Sequence, residues 1–256
     1  MIKEIKKELI VPCKNLFNRF ISSKTGAKTV LENNFLGNRK FFCTSSVEAF
    51  RTLKYGDEES ALGAFLFLMR DDDILWDLGA SVGLFSIYAA QKVQSVYSFE
   101  PDPDIFNRFN ENIALNGLQE KITSFQCAIG EEVGQMELYS DGINGNSPSL
   151  QNLERHKGNI VKVAVKTIDS LINEENVPVP TVMKIDIEGA EMSALNGAKE
   201  ILGSPNRPRL LFIEVHPNFL KSFNSNIEEI KQLLVANTYH ILSTQQRGDQ
   251  FHLIAT

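Results

Sequence analysis

The chain has 256 residues, of which 43% are hydrophobic and 23% charged, with a formal net charge of −6. This composition is ordinary for a globular domain with a sizeable core, and the acidic balance disfavours a nucleic-acid partner. No run approaches the roughly 18 apolar residues that a membrane span needs. Three scattered cysteines without a CxxC pair predict reduced thiols in the cytoplasm and no structural zinc.

The first 70 residues are predicted to form a helical extension. In residues 1–21, basic and apolar side chains are mixed and Pro12 divides the segment, which predicts two short helices. We prefer an arm packed on its own domain, and the alternative is an anchor on a membrane or partner. Glu58 to Arg70 has apolar residues at helical spacing. The remainder, residues 71–256, is predicted to form the main domain.

From residue 71 onward, short β-rich runs alternate with helical stretches. Such alternation predicts an α/β fold with a mostly parallel sheet and helices on both faces. The last two strands have a connection too short for a crossover, so the final pair is predicted to be antiparallel. The predicted strands are Ile74–Trp76, Ser95–Phe99, Ile122–Cys127, Gln135–Tyr139, Ile160–Lys166, Thr181–Ile185, Leu210–Val215, His240–Thr244 and Gln250–Ala255. The predicted helices of this domain include Leu84–Ala90, Asp104–Asn116, Glu191–Leu202 and Ile227–Ala236.

An insertion over about residues 131–168 interrupts the alternation. Two of the predicted strands lie there and flank a polar loop at Asp141–Pro148. Loops of this length are often functional, so this loop could close over a substrate. A solvated insertion without a function is the alternative.

The strongest functional signal is a glycine loop, Asp77-Leu78-Gly79-Ala80-Ser81-Val82-Gly83, between a strand and a helix. Its glycines permit a tight turn and a close approach of a ligand at the strand ends, where open α/β sheets bind ligands. Glu100 ends the next strand, where a carboxylate can accept hydrogen bonds from ribose hydroxyls. Ser81 replaces the middle glycine of a dinucleotide fingerprint, and Asp77 would repel a pyrophosphate. Both features favour S-adenosylmethionine (SAM) over NAD.

The same loop also matches the G-x-S-x-G nucleophile elbow of α/β-hydrolases. In this alternative Ser81 is the nucleophile, and His216 or His252 completes a triad. The elbow of a hydrolase follows several strands, however, and residues 1–70 are predicted to be helical. No His-Gly-Gly-type oxyanion loop precedes Ser81 either, so the cofactor interpretation is preferred.

A second, acidic constellation follows the strand that ends at Ile185. The run Lys184-Ile185-Asp186-Ile187-Glu188-Gly189-Ala190-Glu191 places three carboxylates at the ligand edge of the sheet. Glu191 could instead simply favour the positive end of the helix dipole. His216 ends the next strand and is a candidate general base, because imidazole titrates near neutral pH. The predicted catalytic residues are Asp186, Glu188, Glu214 and His216. These side chains could also hold a divalent cation, although we predict no metal.

With these motifs, the sequence resembles the FkbM family of class I SAM-dependent methyltransferases. The run Asp186–Glu191 is the most family-specific part, whereas the glycine loop is shared by many methyltransferases. The resemblance implies a Rossmann-like domain with a seven-stranded sheet, and O-methylation of a hydroxyl, often on a sugar or natural product. The matching segments follow the family's order and are Leu75–Gly83, Ser98–Pro101, Cys127–Gly130, Val165–Asp169, Lys184–Glu191 and Glu214–His216.

The resemblance also implies a cofactor site. The glycine loop would line the methionine end of SAM, Glu100 would hold the ribose, and Asp186 would lie between cofactor and acceptor. Ser81 stands where the family usually has Asn, and Cys127 stands where many class I enzymes have Asp or Asn near the adenine. The predicted cofactor-binding residues are Asp77, Gly79, Ala80, Ser81, Gly83, Glu100, Pro101, Cys127 and Ala128.

Two further functional alternatives are weighed against O-methylation of a small molecule. A binding module without catalysis is disfavoured because Asp77, Glu100 and Asp186 are all present. N-methylation of a protein or nucleic acid is disfavoured because the chain is acidic and lacks an Asn-Pro-Pro-Tyr-type loop. Formation of a homodimer is left open.

Overall fold

The computed structural model describes residues 29–33, 37–45, 48–49, 52, 58–143, 147–151 and 159–256. The two helices predicted within residues 1–21 lie outside this part of the chain. Among the described residues, no helix is both long and apolar enough to cross a bilayer.

The described elements alternate along the chain as the sequence predicts. The strands are β1 (Thr29–Asn33), β2 (Arg39–Cys43), β3 (Ile74–Leu78), β4 (Ser95–Phe99), β5 (Ile122–Phe125), β6 (Ala128–Ile129), β7 (Gly134–Tyr139), β8 (Ile160–Lys166), β9 (Val182–Ile185), β10 (Leu210–Val215), β11 (Ile241–Arg247) and β12 (Gln250–Ala255). The helices are α1 (Glu58–Leu68), α2 (Leu84–Ala89), α3 (Pro103–Leu115), α4 (Ile168–Asn173), α5 (Glu191–Asn196), α6 (Lys199–Leu202), α7 (Pro217–Leu220) and α8 (Ile227–Ala236), with a 3₁₀ turn at Lys221–Phe223.

The central sheet has seven strands in the order β11–β12–β10–β9–β3–β4–β5. The five strands from β10 to β5 are parallel, and β12 is antiparallel to both of its neighbours. The predicted class I sheet with an antiparallel last strand is therefore confirmed. Because parallel strands share one carboxyl edge, the ends of β3, β4, β9 and β10 bring the predicted site residues to the same side of the sheet.

Hydrophobic layers cover both faces of this sheet. On one face Trp76 is fully buried, contacts the Phe99 ring at 5.1 Å and donates from its indole N–H to the Pro178 carbonyl. On the other face Phe65 packs edge-on against Phe85 and Phe212, each with ring centroids 5.3 Å apart. Both faces of β3 and β9 are buried, which explains their nearly continuous apolar runs.

The predicted helical extension is wrong for residues 29–43. β1 and β2 form an antiparallel hairpin, in which Phe41 and Cys43 are buried while Lys40 is exposed, the two-residue period of a strand. The hairpin docks on α3, where the Phe42 N–H donates to Asn112 Oδ1 at 2.8 Å. A contact between residues 70 positions apart, rather than local periodicity, stabilises this strand. The helix predicted near residues 58–70 does form, as α1.

The insertion forms the two predicted strands within a separate three-stranded sheet of order β6–β8–β7. β8 runs antiparallel to β7 and parallel to β6, and the buried side chains of Leu138 and Val165 form part of its small core. After β7, Ser149 forms an isolated antiparallel bridge with Tyr139.

The single helix predicted over Glu191–Leu202 is two helices, α5 and α6. Gly197 separates them and packs against the insertion, because a Cβ at this position would lie 2.1 Å from the carbonyl oxygen of Gly130. The Gly197 carbonyl also accepts a hydrogen bond from the Asp169 N–H at 3.0 Å. These tertiary contacts explain the break in an otherwise helical pattern.

Candidate active site

The glycine loop packs directly on the end of β9. Gly79 has φ 81°, and a Cβ on it would lie 1.9 Å from the carbonyl oxygen of Asp186. Gly83 has φ 93°, and its Cβ would lie 2.3 Å from the Phe109 ring. Both positions therefore require glycine for conformation and for space. Ser81 lies between them and is also left-handed, with φ 52°.

An open cavity lies beside this loop. The insertion forms part of its wall through Leu138 and Ser147–Leu150, so the predicted polar loop does reach the site. Closure of this loop over a substrate stays a prediction. Eight of the predicted site residues line the cavity: Gly79, Ser81, Glu100, Pro101, Cys127, Ala128, Asp186 and Glu188.

Glu100 is held rigidly at the cavity wall. One of its oxygens accepts the Ser81 N–H at 2.9 Å, and the other accepts the Asp102 N–H at 3.0 Å. A carboxylate oxygen can accept more than one hydrogen bond, so these two backbone donors do not by themselves prevent a bond from a ligand hydroxyl. The predicted pairing of Glu100 with a ribose is compatible with this geometry.

Asp77 lies below the glycine loop rather than in the cavity wall. It is fully buried and accepts a hydrogen bond of 2.6 Å from the Ser86 hydroxyl. Its other oxygen is 3.2 Å from the ammonium of Lys184, a residue that the sequence interpretation did not single out. Ala80 and Gly83 likewise lie behind the lining residues, so Asp77 is placed to support the loop from beneath.

Lys184 joins Asp77 to Asp186. Its ammonium lies 3.3 Å from Asp186 Oδ2 and 4.9 Å from the centre of the Phe85 ring. Burial alone would lower the pKa of Lys184, but Asp77 and Asp186 raise it above its ordinary value. A lysine inside the buried run Val-Met-Lys-Ile of β9 is a signal that could have identified it from the sequence.

Asp186 carries a partly exposed carboxylate on the cavity wall. Burial and the nearby charge of Glu214 raise the pKa of this carboxyl to about 7, against the opposing effects of Lys184 and His216. Glu188 reaches the same wall from a left-handed residue with φ 55°. Asp186 can therefore exchange a proton with a bound hydroxyl near neutral pH.

His216 and Glu214 lie behind these two carboxylates. His216 Nδ1 is 2.7 Å from Glu191 Oε1, and its Nε2 is 3.8 Å from both Asp186 Oδ1 and Glu188 Oε2. Glu214 instead pairs with His252 at 3.3 Å across β10 and β12. Pairing with His252 lowers the pKa of Glu214, although burial alone would raise it.

A divalent cation is the alternative that the sequence left open for this cluster. Asp186, Glu214 and His216 each offer an atom within 4.8 Å of the others. The Lys184 ammonium already lies 3.3 Å from Asp186, so one of these carboxylates has a cationic partner within the protein. The predicted absence of a metal stays a prediction.

The hydrolase alternative requires a histidine beside Ser81. Among the described contacts, the Ser81 backbone donates to Glu100, while His216 pairs with Glu191 and His252 pairs with Glu214. Neither imidazole bonds to the Ser81 hydroxyl in this part of the chain, so the geometry does not support a nucleophile elbow.

Comparison with known proteins decides the family. Residues 77–246 match the family described as the methyltransferase FkbM domain. The chain belongs to the FkbM methyltransferase family. The resemblance inferred from the motifs is thereby confirmed, and the matched range includes both the glycine loop and the Asp186–Glu191 run.

Two named relatives are similar to this chain at low identity. Hexuronic acid methyltransferase AglP of Haloferax volcanii is 28% identical over 201 residues, covering 77% of this chain and 79% of that protein. The 31-O-demethyl-FK506 methyltransferase FkbM of Streptomyces tacrolimicus is 22% identical over 220 residues, covering 73% and 81%. A solved structure of methyltransferase FkbM from Methylobacillus flagellatus KT has a TM-score of 0.52 at 20% identity, over 74% of this chain. This chain spans 45% of that larger protein, and the likeness concerns the fold alone.

Proposed function

We propose that this FkbM-family chain is a SAM-dependent O-methyltransferase acting on a hydroxyl of a sugar or natural-product-like small molecule. The observation that carries the proposal is the cavity between the glycine loop, Glu100 and Asp186. The relatives support the acceptor class, because one is named for a hexuronic acid and another for an O-demethylated natural product.

The groups that line the cavity fit SAM. Gly79 and Ser81 expose backbone to a ligand, and Glu100 presents a fixed carboxylate for a ribose. Burial raises the pKa of the Cys127 thiol to about 12, so Cys127 and Ala128 offer a neutral wall for an adenine. When bound, SAM supplies a methyl group already activated on a sulfonium, so the protein chiefly aligns donor and acceptor.

Asp186 is the residue that we assign as general base. Its carboxylate faces the cavity and, with a pKa of about 7, is partly ionised at neutral pH. It would accept the proton that the acceptor hydroxyl loses as its oxygen gains the methyl group. Asp186 is preferred to His216 for this role because both ring nitrogens of a protonated imidazole already carry hydrogen.

Calorimetric titration with SAM tests the cofactor assignment. Wild-type protein is expected to bind in the micromolar range, and Glu100→Ala is expected to bind at least about tenfold more weakly, because it loses hydrogen bonds to a charged acceptor. Glu137→Ala, an exposed site on β7, is the matched control and should bind like wild type. Well-folded wild-type protein that does not bind SAM would contradict the proposal.

The acceptor is then sought by mass spectrometry with hydroxylated compounds, sugars first. A gain of one methyl group on an acceptor oxygen supports the assignment, whereas transfer to nitrogen would replace it. The location in the cytoplasm and the absence of a nucleic-acid partner remain predictions from the sequence. Formation of a homodimer stays open. The buried thiols of Cys43 and Cys127 are compatible with a reducing compartment.

A further inference from the structure

Glu191 is buried at the first residue of α5, behind the cavity wall that carries Asp186 and Glu188. Its Oε1 accepts hydrogen bonds from His216 Nδ1 at 2.7 Å and from the Gly189 N–H at 3.0 Å. Its Oε2 is buried and has no hydrogen-bond partner among the described residues. Burial of a carboxylate is costly unless other groups bond to it, so the helix dipole alone does not account for the position of Glu191.

The contact with Glu191 determines how the His216 ring is presented. The ring is 3% exposed and stacks on Phe219 with centroids 5.8 Å apart and planes 13° apart. Because Glu191 binds Nδ1, only Nε2 faces the active site, where it lies 3.8 Å from the carboxylates of both Asp186 and Glu188.

The groups around His216 are mostly acidic. Asp186, Glu188 and Glu191 face it directly, and Glu214 is near enough for a charge interaction. Burial alone would lower the pKa of His216, but the hydrogen bond and charge of Glu191, followed by the other carboxylates, raise it to about 10. The ring is therefore a cation at neutral pH.

We propose that Glu191 is a positioning residue that keeps His216 charged and oriented, so that this cation aligns the Asp186 and Glu188 carboxylates toward the acceptor hydroxyl. This inference rests on the proposed O-methylation. It extends that function by giving His216 and Glu191 a role that involves no contact with the reacting atoms. The Glu191–His216 pair thus holds the general base, Asp186, in position.

Nitrogen NMR of the full chain, labelled with ¹⁵N-histidine, tests this role directly. The chain has four histidines, and His216→Gln identifies the His216 signals. In wild-type protein the ring is expected to carry protons on both nitrogens at pH 8. Glu191→Gln keeps the size of the side chain but loses its charge, so the proton affinity of His216 should fall at least about tenfold.

Glu228→Gln is the matched control, because Glu228 also lies in the first turn of a helix but is exposed. It should leave the His216 titration unchanged, and Glu191→Asp should restore much of the wild-type titration. A neutral His216 ring in wild-type protein at pH 7 would overturn the proposal, as would an unaltered titration in Glu191→Gln. If Glu191→Gln does not fold, the wild-type spectrum and Glu191→Asp still decide.

Titration of the same samples with SAM separates this inference from the proposed function. Glu191→Gln is expected to bind SAM within about threefold of wild type, because Glu191 does not line the cavity. A charged His216 in a protein that binds no SAM would refute the methyltransferase proposal alone. A neutral His216 in a protein that binds SAM would refute the positioning role alone.

Discussion

Lys184 shows how much of this active site depends on a single buried charge. Its ammonium lies between the carboxylates of Asp77 and Asp186 and is almost completely removed from water. An isolated buried ammonium costs several kcal/mol, and the nearby carboxylates of Asp77 and Asp186 offset part of that cost. Lys184 thereby links Asp77, which lies below the glycine loop, to Asp186, the proposed general base.

The glycine loop provides a test of close packing at one residue. Gly79→Ala would place a Cβ 1.9 Å from the backbone of Asp186, so we expect loss of SAM binding and a fall of several kcal/mol in the free energy of unfolding. Gly117→Ala is the control, because its φ of 65° is also left-handed but nothing lies within 4 Å of the added carbon. Gly117→Ala should cost only about 1–2 kcal/mol by urea denaturation. Equal effects of the two variants would show that conformational strain, not the contact with β9, accounts for the glycine.

Helix α3 joins the β1–β2 hairpin to the glycine loop. Asn112 on α3 is fully buried, accepts the Phe42 N–H at 2.8 Å and donates to the Val82 carbonyl at 2.9 Å. One side chain therefore satisfies two backbone groups from separate elements. The hairpin is thus part of the domain's packing, and it contributes the buried Phe41 to the same core as Phe109.

Asn112→Ala is expected to lower the free energy of unfolding by about 2–4 kcal/mol, since it leaves two backbone groups without their partner. Asn116→Ala, at the C-cap of the same helix, is the matched control. Asn116 bonds the hairpin through Lys40, but in an exposed position, so its removal should cost less than about 1 kcal/mol. Urea denaturation measures both values. A weaker affinity for SAM in Asn112→Ala alone would show that the link to Val82 also shapes the loop.

Over the whole molecule, acidic and basic groups alternate along the carboxyl edge of the sheet. Each group contacts the next in the series Asp77, Lys184, Asp186, His216 and Glu191. Glu214 pairs separately with His252. Burial, followed by the charge of Glu214, raises the pKa of Asp186 in this cluster, where carboxylates outnumber cations. The ionised Asp186 carboxylate therefore has a cost in stability.

Asp186→Asn should therefore stabilise the fold while it removes activity. The unfolded chain ionises Asp186 near pH 3.8 but the folded chain near pH 7, so the cost of this carboxylate grows between these values and stays constant above them. The variant's melting temperature should rise by a few degrees at pH 8 and by less at pH 5. Methyl transfer should fall at least about 100-fold. Exposed Asp249→Asn is the control, and a lower melting temperature of Asp186→Asn at pH 8 would contradict the argument.

Regular local patterns were enough to predict the alternating sheet and to place Gly79, Glu100 and Asp186 at one edge of it. The apolar runs of β3 and β9 identify buried parallel strands, and parallel strands necessarily end at one edge. For this reason the sequence alone predicts that Gly79, Glu100 and Asp186 lie close together.

Contacts between distant residues account for what the patterns missed. The β1–β2 hairpin depends on Asn112 of α3, and the break at Gly197 depends on the approach of Gly130. Sequence spacing places Glu191 near a helix start but does not show that it is buried against His216. The ionisation of His216 likewise follows from the burial and charge of its neighbours, which are brought together only when the strands and helices pack.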